Sequence, residues 1–167
     1  MREDQQHCPR CGHRLIEKEL TDEGIIPYCE TCKDYRFPFF SVAVSMVVLS
    51  PDEKEILLIK QYGRDRNILV AGYINITENA EECLKRELME ETGLEASDYR
   101  FNKSLYYGKS NTLILNFIVK AKSKELHCNH EIDSYQWYSL TDAKKNVVRP
   151  SLACQFIDKY LSERGIE

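Results

Sequence analysis

Between Gly72 and Leu94 the chain reads GYINITENAEECLKRELMEETGL, with its carboxylates grouped rather than scattered. Glu87 and Glu91 are four residues apart and Glu90 is three from Glu87, so on a helix the three crowd together. Like charges at that spacing repel, and a hard divalent cation such as Mg²⁺ or Mn²⁺, which prefers carboxylate and water oxygens, relieves the repulsion. Arg86 can pair with Glu90 at i, i+4 and hold part of the cluster. The plainer alternative is a solvated acidic face on an amphipathic helix.

A second constellation lies near the N-terminus. Cys8 and Cys11 form one Cys-x-x-Cys pair and Cys29 and Cys32 another, with 17 residues between. Two such knuckles close a tetrahedral four-thiolate Zn²⁺ site, and Gly12 suits the tight turn after the first. Four protein ligands leave no open position, so this metal is structural. His7 and His13 are the competing ligands and read as surface residues; a redox dithiol is the alternative for the cysteines. Residues 1–37 carry six Lys/Arg against eight Asp/Glu, an acidic balance that argues against tracking phosphates and favours a folding staple or a dimer surface.

The elements that must position the acidic residues follow from local signals. Thr77 and Asn79 are N-cap types, and Glu82 three residues after Asn79 completes a capping box. Ala80, Leu84 and Leu88 make one apolar stripe, and Gly93 fits a left-handed C′ position. Ser41–Leu49 and Glu55–Lys60 read as strands joined by a turn at residues 50–53, apolar enough to be covered on both faces. The polar stretch 61–67 reads as a loop whose Arg64 and Arg66 could grip phosphate oxygens. A strand over Ile68–Ala71 would aim the carbonyl of Ala71 or Gly72 at the acidic helix. Thr112–Ala121 and Tyr135–Tyr138 read as further strands, with a polar loop over 122–133 between them. Pro150-Ser151 opens a last helix lined by Leu152, Phe156, Tyr160 and Leu161, ending before Gly165. Mixed strands between two helices predict an α/β/α sandwich, with the acidic helix on one side and the C-terminal helix on the other.

The 167 residues, 43% hydrophobic and 30% charged, suit one domain plus a small appendage. Phe37-Pro38-Phe39-Phe40 marks the joint, giving residues 1–37 and 38–167. A net charge of −4 argues against a general polyanion-binding surface. The polar start MREDQQHC carries no secretory signal, and the longest apolar run is too short to span a bilayer. Seven cysteines in this pattern point to metal in a reducing compartment. The expectation is a cytoplasmic protein without membrane contact.

Gly72, five residues, Glu78, seven residues, then Arg86-Glu87-Leu88-x-Glu90-Glu91-x-Gly93-Leu94 matches the Nudix box at every defined position, so the protein resembles a Nudix hydrolase. A four-cysteine zinc ribbon before it is similar to the NADH pyrophosphatase group, as are Tyr35-Arg36-Phe37-Pro38 and Glu131-Ile132 followed by Gln136-Trp137-Tyr138. That resemblance implies a Nudix α/β/α sandwich with a mixed sheet behind a small zinc ribbon. It implies Mg²⁺ or Mn²⁺ held by Glu87, Glu91 and Glu131 with the carbonyl of Ala71, and Arg86 within the catalytic set. Glu90 would bind metal or orient and deprotonate the attacking water; Glu125 or Asp133 could take the place of Glu131. Phe37 would fall near the nucleotide and Ala153 near its far end. The group's Ser-Gln-Pro-Trp-Pro-Phe-Pro stretch corresponds here to Ser104-Leu105-Tyr106-Tyr107-Gly108-Lys109-Ser110, which keeps the serine and aromatic character and lacks the prolines and tryptophan. Only seven residues precede Cys8, where that group carries a further domain. Tyr106, Tyr107 and Ser110 are the candidate substrate contacts, strand-end packing being the alternative for the tyrosines. The implied reaction is hydrolysis of the pyrophosphate in a nucleoside diphosphate linked to X, with NAD(H), ADP-ribose or a related dinucleotide as X-bearing substrate. The alternatives are a non-catalytic nucleotide-sensing module and a zinc-ribbon interaction protein. The expected partner is a small nucleotide; a homodimer is open, and nucleic acid is disfavoured by the acidic ribbon.

Overall fold

In a computed structural model, which describes residues 5–166, the chain divides between Phe40 and Ser41 into two units. The first holds three short antiparallel strands, β1 (Ile16–Leu20), β2 (Gly24–Cys29) and β3 (Asp34–Tyr35). Among its described residues the buried apolar ones are Cys8, Leu15 and Cys29, with Cys32 packed against them. A core this small leaves a unit of its size marginal without a further staple. The strands are fastened outside it by Tyr28 and Tyr35, ring centroids 4.9 Å apart, with the Lys18 ammonium 3.9 Å above the Tyr28 ring.

In the second unit the valine-rich run forms strand β4 (Ser41–Leu49), the centre of a six-stranded sheet ordered β7-β8-β4-β5-β9. Strand β8 (Thr112–Ala121) runs parallel to it along its whole length, from Ser41 opposite Thr112 to Leu49 opposite Lys120. The other edge of β4 is shared: β5 (Glu55–Gln61) meets it at Leu49, and β6 (Val70–Tyr73) lies antiparallel to residues 43–46. β7 (Ala96–Tyr107) and β9 (Ile132–Ser139) complete the two ends of the sheet.

Both faces of β4 and β5 are covered, as their near-continuous apolar sequence requires. Val44, Met46, Val48, Leu57 and Ile59 face helix α1 (Ala80–Thr92), whose Cys83, Leu84 and Leu88 are buried among them. Val47, Leu49, Ile56 and Leu58 face α2 (Leu140–Asn146) and α3 (Leu152–Glu163), the latter through Phe156, Ile157, Tyr160 and Leu161. The result is the expected sandwich of helices about a mixed sheet. No helix among the described residues is long and apolar enough to cross a membrane.

The ends of α1 decide where the acidic residues go. Of the two N-cap candidates Asn79 is the cap: its side chain accepts from Glu82 N at 2.9 Å, and Glu82 Oε2 accepts from Asn79 N at 3.1 Å. Thr77 instead sits at φ +73° in the preceding turn. At the other end Gly93 adopts φ +69°, closing the helix onto Met89 O. The carbonyls orphaned there are capped from far along the chain: His127 N donates to Thr92 O at 2.9 Å and Asn129 N to Glu91 O at 3.1 Å. A side-chain carbon on residue 93 would lie 2.9 Å from Cβ of His127 and 3.2 Å from its backbone N and O. Gly93→Ala therefore combines left-handed strain with a backbone clash, and is expected to cost about 2 kcal/mol or more. Denaturant midpoints measure it, with faster amide exchange at His127 and Asn129; an unchanged midpoint would contradict the assignment.

Candidate functional site

The glycine that opens the acidic stretch lies in strand β6, and its lack of a side chain makes room for Glu87. A carbon added at Gly72 would fall 1.9 Å from Cδ of Glu87 and 2.1 Å from its Oε1. The backbone there has no positive φ, so the glycine serves close approach rather than a turn. Helix α1 thus lies against the end of β6, with Arg86 Nη2 donating to Tyr73 O at 3.1 Å.

Arg86 is the cation among these carboxylates. Its Nε and Nη2 bind Glu78 bidentately at 2.7 and 2.9 Å, and its Nη1 reaches Glu87 Oε1 at 2.6 Å and Glu90 Oε2 at 3.1 Å. The expected Arg86–Glu90 pair is present, within a larger network that sequence spacing did not reveal. Glu78 also accepts from Asn75 N at 2.9 Å, closing the turn before the helix, and the guanidinium holds its carboxyl down at about 2.

A cavity of about 630 Å³ opens beside this network. Its lining includes Ala71, Gly72, Glu87, Glu90, Glu91, Asn129 and Glu131. Exposure grades the helix carboxylates: Glu91 is 4% exposed, whereas the side chains of Glu87 and Glu90 are 14% and 57% exposed. Burial, against a hydrogen bond with Gln61 and helped by the charges of Glu87, Glu131 and Glu90, pushes the Glu91 carboxyl up to about 7. Burial also raises Glu87, against the pull of Arg86. Glu91 Oε2 is buried and has no hydrogen-bond partner. A buried, partnerless carboxylate oxygen facing other carboxylates fits a divalent cation, which satisfies its lone pair and offsets its charge.

Of the three acidic residues proposed for the later loop, only Glu131 lines the cavity. Asp133 is occupied by the turn at Tyr62-Gly63, accepting from Gly63 N at 2.7 Å. Glu125 is exposed and lies 3.9 Å from His127. Tyr62, on the cavity rim, faces Glu131, whose hydrogen bond and charge raise its hydroxyl.

The lining also includes apolar and hydroxylic residues: Ala43, Tyr107, Ser110, Thr112 and Ile114. Tyr107 and Ser110 therefore lie where a substrate could meet them. Tyr106 does not line the cavity; alternation along β7 turns it away, and its hydroxyl donates to Asn111 Oδ1 at 2.5 Å in the hairpin turn. Ala153 is also elsewhere, packed with α3 against the opposite face of the sheet from Glu87. Phe37 belongs to the first unit, where its ring is exposed. Arg64 and Arg66 are exposed and outside the cavity lining. Thr112 was missed by sequence reading because its strand looks uniformly apolar; it is 2% exposed and its hydroxyl meets Ser110 Oγ at 2.8 Å.

In the first unit the four cysteine sulfurs lie within 4.8 Å of one another, with Cys11–Cys29 at 3.5 Å and Cys8–Cys32 at 3.9 Å. Four thiolates at about 2.3 Å from a tetrahedral Zn²⁺ would have edges of about 3.8 Å, so the spacing fits that ion and is far too long for disulfides. Burial opposes ionisation of Cys8, yet Arg36 Nε, 3.3 Å away, and backbone amides bring its thiol down to about 6. His7 and His13 are exposed and outside the quartet.

These features define a class. Residues 40–156 match the family model of the NUDIX domain, and the chain belongs to that family. It is 23% identical over 160 residues to the NAD-capped RNA hydrolase NudC of Vibrio cholerae serotype O1, covering 93% of this chain and 57% of that protein, so it spans little more than half its relative's length. A NUDIX hydrolase from Nitrosomonas europaea superposes with a TM-score of 0.65 at 18% identity, covering 96% of this chain and 92% of that one. The NUDIX domain of Shewanella oneidensis NrtR, solved with ADP ribose, gives 0.64 at 15% identity, covering 82% and 94%. At these identities the two structures establish the fold.

Glu91 has a folded-state pKa above its unfolded value, so the metal-free fold binds its proton more tightly than the unfolded chain. Its contribution then falls as pH rises from about 4.5 to about 7 and stays low above. Glu91→Gln should stabilise the metal-free protein at pH 8 by about 1–3 kcal/mol. Added Mg²⁺ should raise the wild-type melting midpoint and leave the variant nearly unmoved; a less stable metal-free variant would contradict this.

Proposed function

We propose that this protein is a Nudix pyrophosphohydrolase that cleaves a nucleoside diphosphate linked to X into a nucleoside monophosphate and a phosphorylated X. The observation that carries the reading is the cavity, whose lining combines a cluster of carboxylates with apolar and hydroxyl-bearing residues. A pyrophosphate needs the first and a ribose or base suits the second. Glu87, Glu90, Glu91 and Glu131 with the Ala71 carbonyl would hold Mg²⁺ or Mn²⁺, which supplies charge neutralisation for the phosphates and acidifies the attacking water.

The remaining work falls to side chains. Arg86 holds Glu87 and Glu90 in place through Nη1 while Glu78 fixes its other nitrogens. Glu90, the most exposed of the three helix carboxylates, is suited to accept the water's proton as its oxygen forms a bond to phosphorus. The bridging P–O bond breaks in line, and the electron pair leaves with the departing phosphate. Tyr107, Ser110 and Thr112 would contact the nucleoside or X; Phe37 is assigned only by resemblance, and Ala153, on the other face of the sheet, would take no part in this cavity. NAD(H), ADP-ribose and related dinucleotides are the substrate class; the NudC relative's name and the ADP ribose bound to the NrtR domain support it. A capped RNA carries the same bond, and the acidic N-terminal unit offers that substrate no help. Residues 1–37 form a zinc ribbon in this reading and residues 38–167 the catalytic domain, in the cytoplasm.

A screen of Mg²⁺-dependent hydrolysis against NADH, NAD, ADP-ribose, diadenosine polyphosphates and nucleoside triphosphates tests the reading. Turnover with preference for one dinucleotide is expected, falling by about 10²-fold or more in Glu90→Gln. Tight nucleotide binding without turnover would establish the sensing module instead. For the ribbon, metal analysis should find one Zn²⁺ per chain, and a strong chelator should abolish amide protection in residues 8–36 while the second unit keeps its own. Full protection of that segment after zinc loss would rule out a structural role for the metal.

A further inference from the structure

The loop before β9 does more than close the sheet. Asn129 N donates to Glu91 O at 3.1 Å, and Asn129 Oδ1 accepts from Glu131 N at 2.9 Å. One residue therefore ties the last turn of α1 to the fourth carboxylate of the cavity. The second bond also fixes the side-chain amide: Oδ1 must face the Glu131 N–H, so Nδ2 is the free end. No group among the described residues accepts from Nδ2, and Asn129 lines the cavity. The carboxylates of the lining, Glu87, Glu90, Glu91 and Glu131, can only accept when ionised, so phosphate oxygens there depend on the amide and hydroxyl side chains of Asn129, Gln61, Asn75 and Tyr62. An amide donor there is what a phosphate oxygen needs.

We propose that Asn129 has two roles at this site, positioning Glu131 against the end of α1 through its main-chain N–H and Oδ1, and donating from Nδ2 to a non-bridging oxygen of the bound pyrophosphate. The second role deepens the pyrophosphohydrolase reading and rests on it; the first does not. Two substitutions separate them. Asn129→Asp keeps an acceptor for Glu131 N–H and the main-chain bond, and replaces the donor by a carboxylate oxygen. Asn129→Ala removes both side-chain bonds.

Calorimetric titration with Mn²⁺ alone, and then with inorganic pyrophosphate at saturating Mn²⁺, reads each role without turnover. Asn129→Ala should weaken Mn²⁺ binding about fivefold and pyrophosphate binding about tenfold. Asn129→Asp should bind Mn²⁺ at least as tightly as wild type while losing about tenfold in pyrophosphate affinity. A purely structural residue would lower the melting midpoint of both variants and leave both constants unchanged, which overturns the proposal. Equal losses of pyrophosphate and Mn²⁺ affinity in Asn129→Asp overturn the split between roles, and a wild-type protein that fails to bind pyrophosphate overturns the donor role. These titrations stand whether or not the wild type turns over any compound in the hydrolysis screen, so failure of the catalytic reading is recognised separately.

Discussion

Like-charge repulsion among the glutamates of α1 is the constraint on which the second unit is built. Glu87, Glu90 and Glu91 cannot be brought together by packing alone, since each added charge raises the cost of the next. Arg86 answers part of it by contacting Glu78, Glu87 and Glu90 with one guanidinium. It cannot reach everything: Glu91 is left with a buried, unsatisfied oxygen and a carboxyl that resists ionisation. The protein thus carries an electrostatic deficit at one point, confined to the face where a cation is useful. Placing that deficit at the end of a well-packed helix, with Leu84 and Leu88 buried in the core, lets hydrophobic burial carry stability that the carboxylates reduce.

Backbone geometry delivers the same residues. A missing Cβ at Gly72 admits Glu87, and a left-handed Gly93 ends α1 where its last carbonyls can be capped by residues 127 and 129. The site is assembled by three segments distant in sequence, each fixed by an obligation of the main chain rather than by attraction between its side chains.

How legible this was depends on range. The Asn79–Glu82 capping box, the apolar stripe of α1, Gly93 and the strands β4, β5 and β8 follow from local pattern, and they are all present. Strand β7 did not stand out because its sequence ASDYRFNKSLYY is mostly polar and two register shifts, at 96/98 and 101/103, break its alternation. The three strands of the first unit are mostly exposed and carry little apolar signal. Helix α2 is only seven residues long, and β9 extends beyond the four residues whose aromatic content marked it. At the site, the i, i+4 arithmetic gave the Arg86–Glu90 pair. Nothing local indicated that Glu78 would take two of the guanidinium nitrogens, or that Asp133 would be occupied by the turn at Gly63. Tyr106 and Tyr107 are indistinguishable by composition, and only the strand's period separates the one on the cavity from the one on the turn.

The two sets of lining residues come from different parts of the chain. The acidic set is drawn from β6, α1 and residues 129–131, whereas Tyr107, Ser110 and Thr112 belong to the hairpin joining β7 and β8. A hairpin tip is where insertions, deletions and substitutions are best tolerated, because few other contacts depend on it. Exchange of residues 107–111 would therefore vary that part of the lining and leave the carboxylate cluster in place, whereas Thr112 is buried and paired with β4. Such a separation makes the scaffold readily evolvable, and it offers protein engineers a short segment to vary apart from the acidic cluster.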